Sequence, residues 1–128
     1  MKWQSVLLVL GATLTSQVIA GEEIDCQSTG TPDNLAKVET IKEGIDYLNG
    51  LSGAPTAEAG KCNRVSCSYG SGITVCSDDG KDHHLKNWKT VGGVAKKIMD
   101  ECAGTHDYFA GRLWSDDGWS VDVGKSSC

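Results

Sequence analysis

Arg64-Val65-Ser66-Cys67-Ser68-Tyr69-Gly70-Ser71-Gly72-Ile73-Thr74-Val75-Cys76 is the segment on which the fold turns. Val65, Cys67 and Tyr69 alternate with small polar residues, the period of a strand buried on one side. Gly70-Ser71-Gly72 interrupts the alternation and Ile73-Thr74-Val75-Cys76 resumes it. Taken as a three-residue hairpin loop with Gly72 left-handed, the segment sets Tyr69 opposite Ile73 and Cys67 opposite Val75. All four then share one side of a two-stranded ribbon.

An amphipathic helix is predicted before this hairpin. Thr31-Pro32-Asp33 suits a helix start, because Thr caps and Pro at the first position lacks an N–H that would have no intrahelical partner. Leu35, Val38, Ile41, Ile45 and Leu48 then recur every three or four residues, and Asn49-Gly50 offers a stop. Residues 51–60 read as a connecting loop of small residues. After the hairpin, 77–86 form a charged loop, and a second helix is expected over Asn87 to Cys102 on the stripe Val91, Val94, Ile98 and Cys102. Gly92-Gly93 weakens it by about 1 kcal/mol per glycine relative to alanine. A second hairpin follows across Asp116-Asp117-Gly118, with Ser115 opposite Trp119, Leu113 opposite Val121, and Trp119, Val121 and Val123 on the buried face.

The order is therefore αββαββ. The simplest solution is an α+β two-layer sandwich, a four-stranded mainly antiparallel sheet with both helices on one face and three disulfides. The two αββ units share no residue-level repeat, so the pattern is architectural.

Residues 1–20 read as a secretory signal peptide. Lys2 supplies the charge, Val6-Leu7-Leu8-Val9-Leu10 the apolar core and Val18-Ile19-Ala20 the cleavage site, and the run is too short to span a bilayer. Residues 21–30 are an N-terminal arm carrying Cys26, and 31–128 form one disulfide-stabilised domain. An exported chain of this size with six cysteines implies stapling before metal binding. Six cysteines allow fifteen connectivities, and strand and helix parity ranks them: Cys67–Cys102 through the core, Cys26–Cys76 across the outer face, and Cys62–Cys128 by remainder. A zinc site with His83, His84 or His106 is disfavoured, since no two cysteines have the C-x₂-C spacing.

A net charge of −5 argues against a nucleic-acid partner and against a cationic membrane-active peptide. Asp78-Asp79-Gly80-Lys81-Asp82-His83-His84 lacks the glutamate that would complete a calcium loop, and reads as a solvated loop. His83, His84, His106, Asp107 and Asp116-Asp117 fall into no acid–base pattern, with neither a G-x-S-x-G elbow nor an H-E-x-x-H helix. No catalytic residue, metal or cofactor is expected; a small secreted hydrolase on wall polymer or RNA is the enzyme alternative. The stronger lead is the outer sheet face, where the predicted register gathers Arg112, Trp114, Ser120 and Asp122 with Arg64, Ser66 and Thr74. Tryptophan beside arginine and aspartate has the composition of an interface, with Trp114, Arg112, Asp122 and Arg64 as its candidate residues. Trp88 is more simply a core residue.

Cys62 through Ile73, then Cys76, a helix ending in Cys102, and Gly111 through Val123 to Cys128 resemble the small secreted cysteine-rich proteins of filamentous fungi, among them candidate effectors of plant-associated species. The αββ layout is also similar to smut killer toxins and related necrosis-inducing proteins, which carry more cysteines. The resemblance implies an extracellular, apoplastic or host-delivered virulence-associated protein that binds a host protein or cell-wall component or harms a competitor; a monomer without stable membrane insertion is expected. An antimicrobial or killer-type toxin is the alternative. No N-x-[ST] site is present, so resistance to proteases would rest on the disulfides.

Overall fold

The two apolar stripes and the two alternating ribbons become two helices on one face of an antiparallel sheet. The computed structural model describes residues 22–27 and 34–128. The expected signal peptide, part of the arm and the Thr31-Pro32-Asp33 helix start lie outside these. In chain order the elements are β1 (Glu23–Cys26), β2 (Ala36–Lys37), α1 (Val38–Asn49), β3 (Thr56–Ala57), β4 (Cys62–Ser68), β5 (Ser71–Ser77), β6 (His83–His84), α2 (Trp88–Cys102), β7 (Tyr108–Phe109), β8 (Gly111–Trp114) and β9 (Trp119–Lys125). The main sheet has five strands in the order β1-β8-β9-β5-β4, and β2 pairs with β7 and β3 with β6.

The helices pack side by side, α1 over β4 and β5 and α2 over β1, β8 and β9. Ile41, Ile45 and Leu48 from α1 meet Val91, Ala95 and Ile98 from α2 above Ile73, Val75, Leu113, Val121 and Val123 from the sheet. Each such aliphatic side chain contributes about 1.5–3 kcal/mol on leaving water. Helix α2 starts where the sequence expects it, with Asn87 as N-cap accepting from the Thr90 N–H at 3.0 Å. Helix α1 starts later than the stripe suggests. Ala36 and Lys37 pair with Phe109 and Tyr108, and the Val38 N–H donates to the Asp107 carbonyl at 2.9 Å. Leu35 and Ala36 stay buried, Leu35 in a bend and Ala36 in β2 instead of in the helix.

The C-terminal hairpin has the expected register: Leu113 faces Val121 and Arg112 faces Asp122, with Gly118 left-handed at φ 96°. Three expectations need correction. The sheet has five strands instead of four, because the arm is edge strand β1, paired with β8 from Glu23–Trp114 to Cys26–Gly111. Hydrogen bonds along a sheet edge satisfy a backbone that would otherwise lie loose across the outer face.

The N-terminal hairpin turns on two residues instead of three. Tyr69 and Gly70 both take positive φ, 47° and 80°, the signature of a type I′ turn whose twist suits the strands. Ser68 thus faces Ser71 and Cys67 faces Gly72. A bulge at Val65 then shifts the register, so that Arg64 faces Thr74 and Cys62 faces Cys76. Tyr69 is 89% exposed at the tip, and Ser66, opposite Ile73, turns to α1 instead of outward.

The disulfides are Cys26–Cys102, Cys62–Cys76 and Cys67–Cys128, replacing the expected Cys67–Cys102, Cys26–Cys76 and Cys62–Cys128. The tighter turn sends Cys67 outward, away from α2, to where the chain after β9 crosses. The edge position of β1 brings Cys26 to the end of α2, and Gly111 beside it leaves the room that Cys102 Sγ occupies. Cys62 and Cys76, directly opposite each other with Cα atoms 4.0 Å apart, close a local bridge.

Candidate functional site

Side chains on alternate positions of neighbouring strands line up in rows across the outer face. The central row runs Asp25, Arg112, Asp122, Thr74, Arg64, each opposite the next. The next row runs Glu23, Trp114, Ser120, Cys76, Cys62. Opposite charges alternate along the first row, so every ionised group but one has a neighbour of the other sign.

Arg112 anchors the centre. Its Nε donates to Ser120 Oγ at 3.3 Å and its Nη2 reaches Cys76 Sγ of the Cys62–Cys76 bridge at 2.8 Å. Its guanidinium carbon lies 5.5 Å from the centroid of the Trp114 ring, within cation–π range. Ser120, fully buried, donates in turn to Asp78 Oδ1 at 3.1 Å. Asp122 is half-buried, and that burial pushes its carboxyl above the ordinary value while the Arg112 charge pulls against the shift.

Between β1, β8 and the end of β9 the face sinks into a cavity of about 350 Å³, with Asp25, Arg112, Trp114, Asp122 and Lys125 on its walls. Of the four candidate interface residues, Trp114, Arg112 and Asp122 meet there. Arg64 does not. It stands at the far end of the row, where its Nη1 donates to Ser126 Oγ at 3.0 Å and to the Ser127 carbonyl at 2.6 Å, holding down the segment that carries Cys128. Asp25 and Lys125 were not singled out in the sequence. Asp25 had a signal in the alternation Glu23-Ile24-Asp25-Cys26, too short to separate a strand from an arm.

The charged loop is built into the molecule. His83 Nε2 donates to Asp79 Oδ1 at 2.7 Å, and that bond, with smaller help from the Lys81 backbone, holds the Asp79 carboxyl below its ordinary value. Gly118 supplies the surface against which the pair rests, and the Asp78 N–H donates to the Gly118 carbonyl at 2.8 Å. The Ala59 N–H donates to Asp82 Oδ1 at 2.7 Å, and Thr56 Oγ1 and His84 Nδ1 hydrogen-bond at 3.1 Å. The loop thus fastens both the 55–61 segment and the turn of the C-terminal hairpin, and through Asp78 it supports Ser120 behind Arg112. His106, Asp107, Asp116 and Asp117 are exposed. Among the described residues, no group of three or more His, Cys, Asp or Glu side chains could hold a metal ion, and no helix is long and apolar enough to cross a membrane.

Comparison of the chain with profiles of known protein families, with curated proteins and with solved structures finds no match.

Proposed function

We propose that this is a secreted protein of effector type that acts as a monomer by binding a host component through the outer face of its sheet, without a reaction centre of its own. The observation that carries the reading is the cavity where Trp114, Arg112 and Asp122 converge. Tryptophan and arginine are the residue types that concentrate binding energy. Arg112 is held from behind by Ser120 and Cys76, and such second contacts fix a recognition side chain in place before its partner arrives. The three disulfides support an extracellular setting, where such bonds persist.

The test is retention of plant apoplastic components on the immobilised, oxidised protein and on its Trp114→Ala variant. A component held by the parent and released by the variant supports the reading; capture indifferent to Trp114 overturns it. Growth inhibition of microbial cultures by the purified protein would shift the reading to a killer-type toxin, and turnover of wall polymer or RNA to a hydrolase.

A further inference from the structure

We infer that the outer-face cavity takes a neutral carbohydrate chain, with Trp114 against one face of a sugar ring and Asp25, Arg112 and Asp122 on its hydroxyls. This rests on reading the outer face as the recognition surface, and narrows it to one ligand chemistry. About 350 Å³ lies at the small end of small-molecule sites, room for one or two sugar rings. Carboxylates and guanidinium are planar groups presenting two hydrogen-bonding atoms side by side. That spacing matches a pair of neighbouring hydroxyls, each of which both donates and accepts. The indole offers a flat apolar surface with one polar edge, suited to the C–H face of a pyranose.

Charge selects against the other ligand classes. Asp25 and Asp122 are balanced by Arg112 and Lys125 on the cavity wall, so the site favours neither a polyanion nor a polycation. The net charge of −5 further repels an acidic polymer. A protein partner is disfavoured for a separate reason. The centres of protein interfaces are enriched in tryptophan and arginine but depleted in aspartate and lysine, and covering Asp25 and Asp122 with a dry surface would strip water from two carboxylates. Sugar hydroxyls replace that water bond for bond.

Gly124 supplies the depth. It stands on the same side of β9 as Asp122, and a Cβ there would find nothing nearer than Ala110 Cβ at 3.8 Å and an Asp122 carboxylate oxygen at 3.9 Å. The position tolerates a side chain, and glycine leaves it empty beside the carboxylate.

The experiment titrates the oxidised protein with chitohexaose, cellohexaose, xylohexaose and laminarihexaose, following tryptophan fluorescence and calorimetry. At least one is expected to saturate. Its affinity is expected to fall about tenfold or more in Trp114→Ala and equally in Gly124→Leu, which fills the cavity without removing a polar group. Tyr47→Ala, on the helix side, is expected to bind as the parent does. Saturation by none of the four, or binding unchanged in Gly124→Leu of parental melting temperature, overturns the inference. Trp114-dependent capture of a host protein that these sugars do not compete would overturn the sugar alone and leave the recognition face standing. Loss of both would end both readings.

Discussion

Asp122 sits where an ionised carboxylate is disfavoured: half-buried on β9, with the Arg112 charge offsetting only part of the cost of leaving water. Because its folded pKa is raised, the penalty is present above that pKa and fades as pH falls to the ordinary value of 3.8. Asp122→Asn is therefore expected to melt higher than the parent at neutral pH, and the gain to vanish in acid below that value. Equal melting at neutral pH would show that Arg112 fully compensates the charge. Position 122 was legible as outward-facing from alternation alone. Its burial was not, because alternation says which side a residue faces and not what packs around it.

At the level of the element, what the sequence predicted well was whatever one segment settles by itself. Helix α2 and the C-terminal hairpin depend on a cap, a stripe and a glycine within a few residues of each other. The N-terminal hairpin failed because Gly70 and Gly72 competed for the turn, and the choice fell on a Tyr69 that pays for its left-handed backbone with hairpin twist. Helix α1 began late because a tertiary pairing with β7 captured Ala36 and Lys37. The adjacent glycines of α2 also differ in a way that only packing reveals. Gly92 is buried where α2 meets α1, and a Cβ would press on the Asn49 side chain and lie 3.5 Å from the Ile45 carbonyl oxygen. Gly93 is exposed, and a Cβ there meets nothing. Gly93→Ala should stabilise by about 1 kcal/mol through helix propensity, whereas Gly92→Ala should gain less, because the exposed Asn49 side chain has to swing aside to admit the methyl group. Urea denaturation of both variants checks the pair, and a smaller gain at 92 than at 93 is the diagnostic.

For the whole molecule, connectivity was the part least accessible to sequence, since two of the three disulfides join residues brought together by long-range pairing and the third depends on a bulge within its hairpin. Cys26–Cys102 closes 76 residues and Cys62–Cys76 only 14. In the chain-entropy account, removing the first as a double alanine variant costs about 4 kcal/mol and removing the second about 3 kcal/mol. Guanidinium denaturation should rank them in that order, and a reversed order would show that the edge strand stays docked on its hydrogen bonds to β8. The candidate site shows the same limit. Trp114, Arg112 and Asp122 share one hairpin and were found together; Asp25 arrives from the far end of the described chain.

Cys62 and Cys67 stand an odd number of places apart, so in an unbroken strand they would point to opposite sides. Both reach outward because Val65 is an extra residue that resets the count. Excising Val65 would leave the two cysteines four places apart in a continuous ladder, Cys62 still opposite Cys76 and Cys67 still opposite Gly72, so the purified variant should titrate with no reactive thiols; two free thiols would show that the bulge itself is needed for pairing. A single unpaired backbone position thereby lets an odd spacing of cysteines serve two bridges on one face.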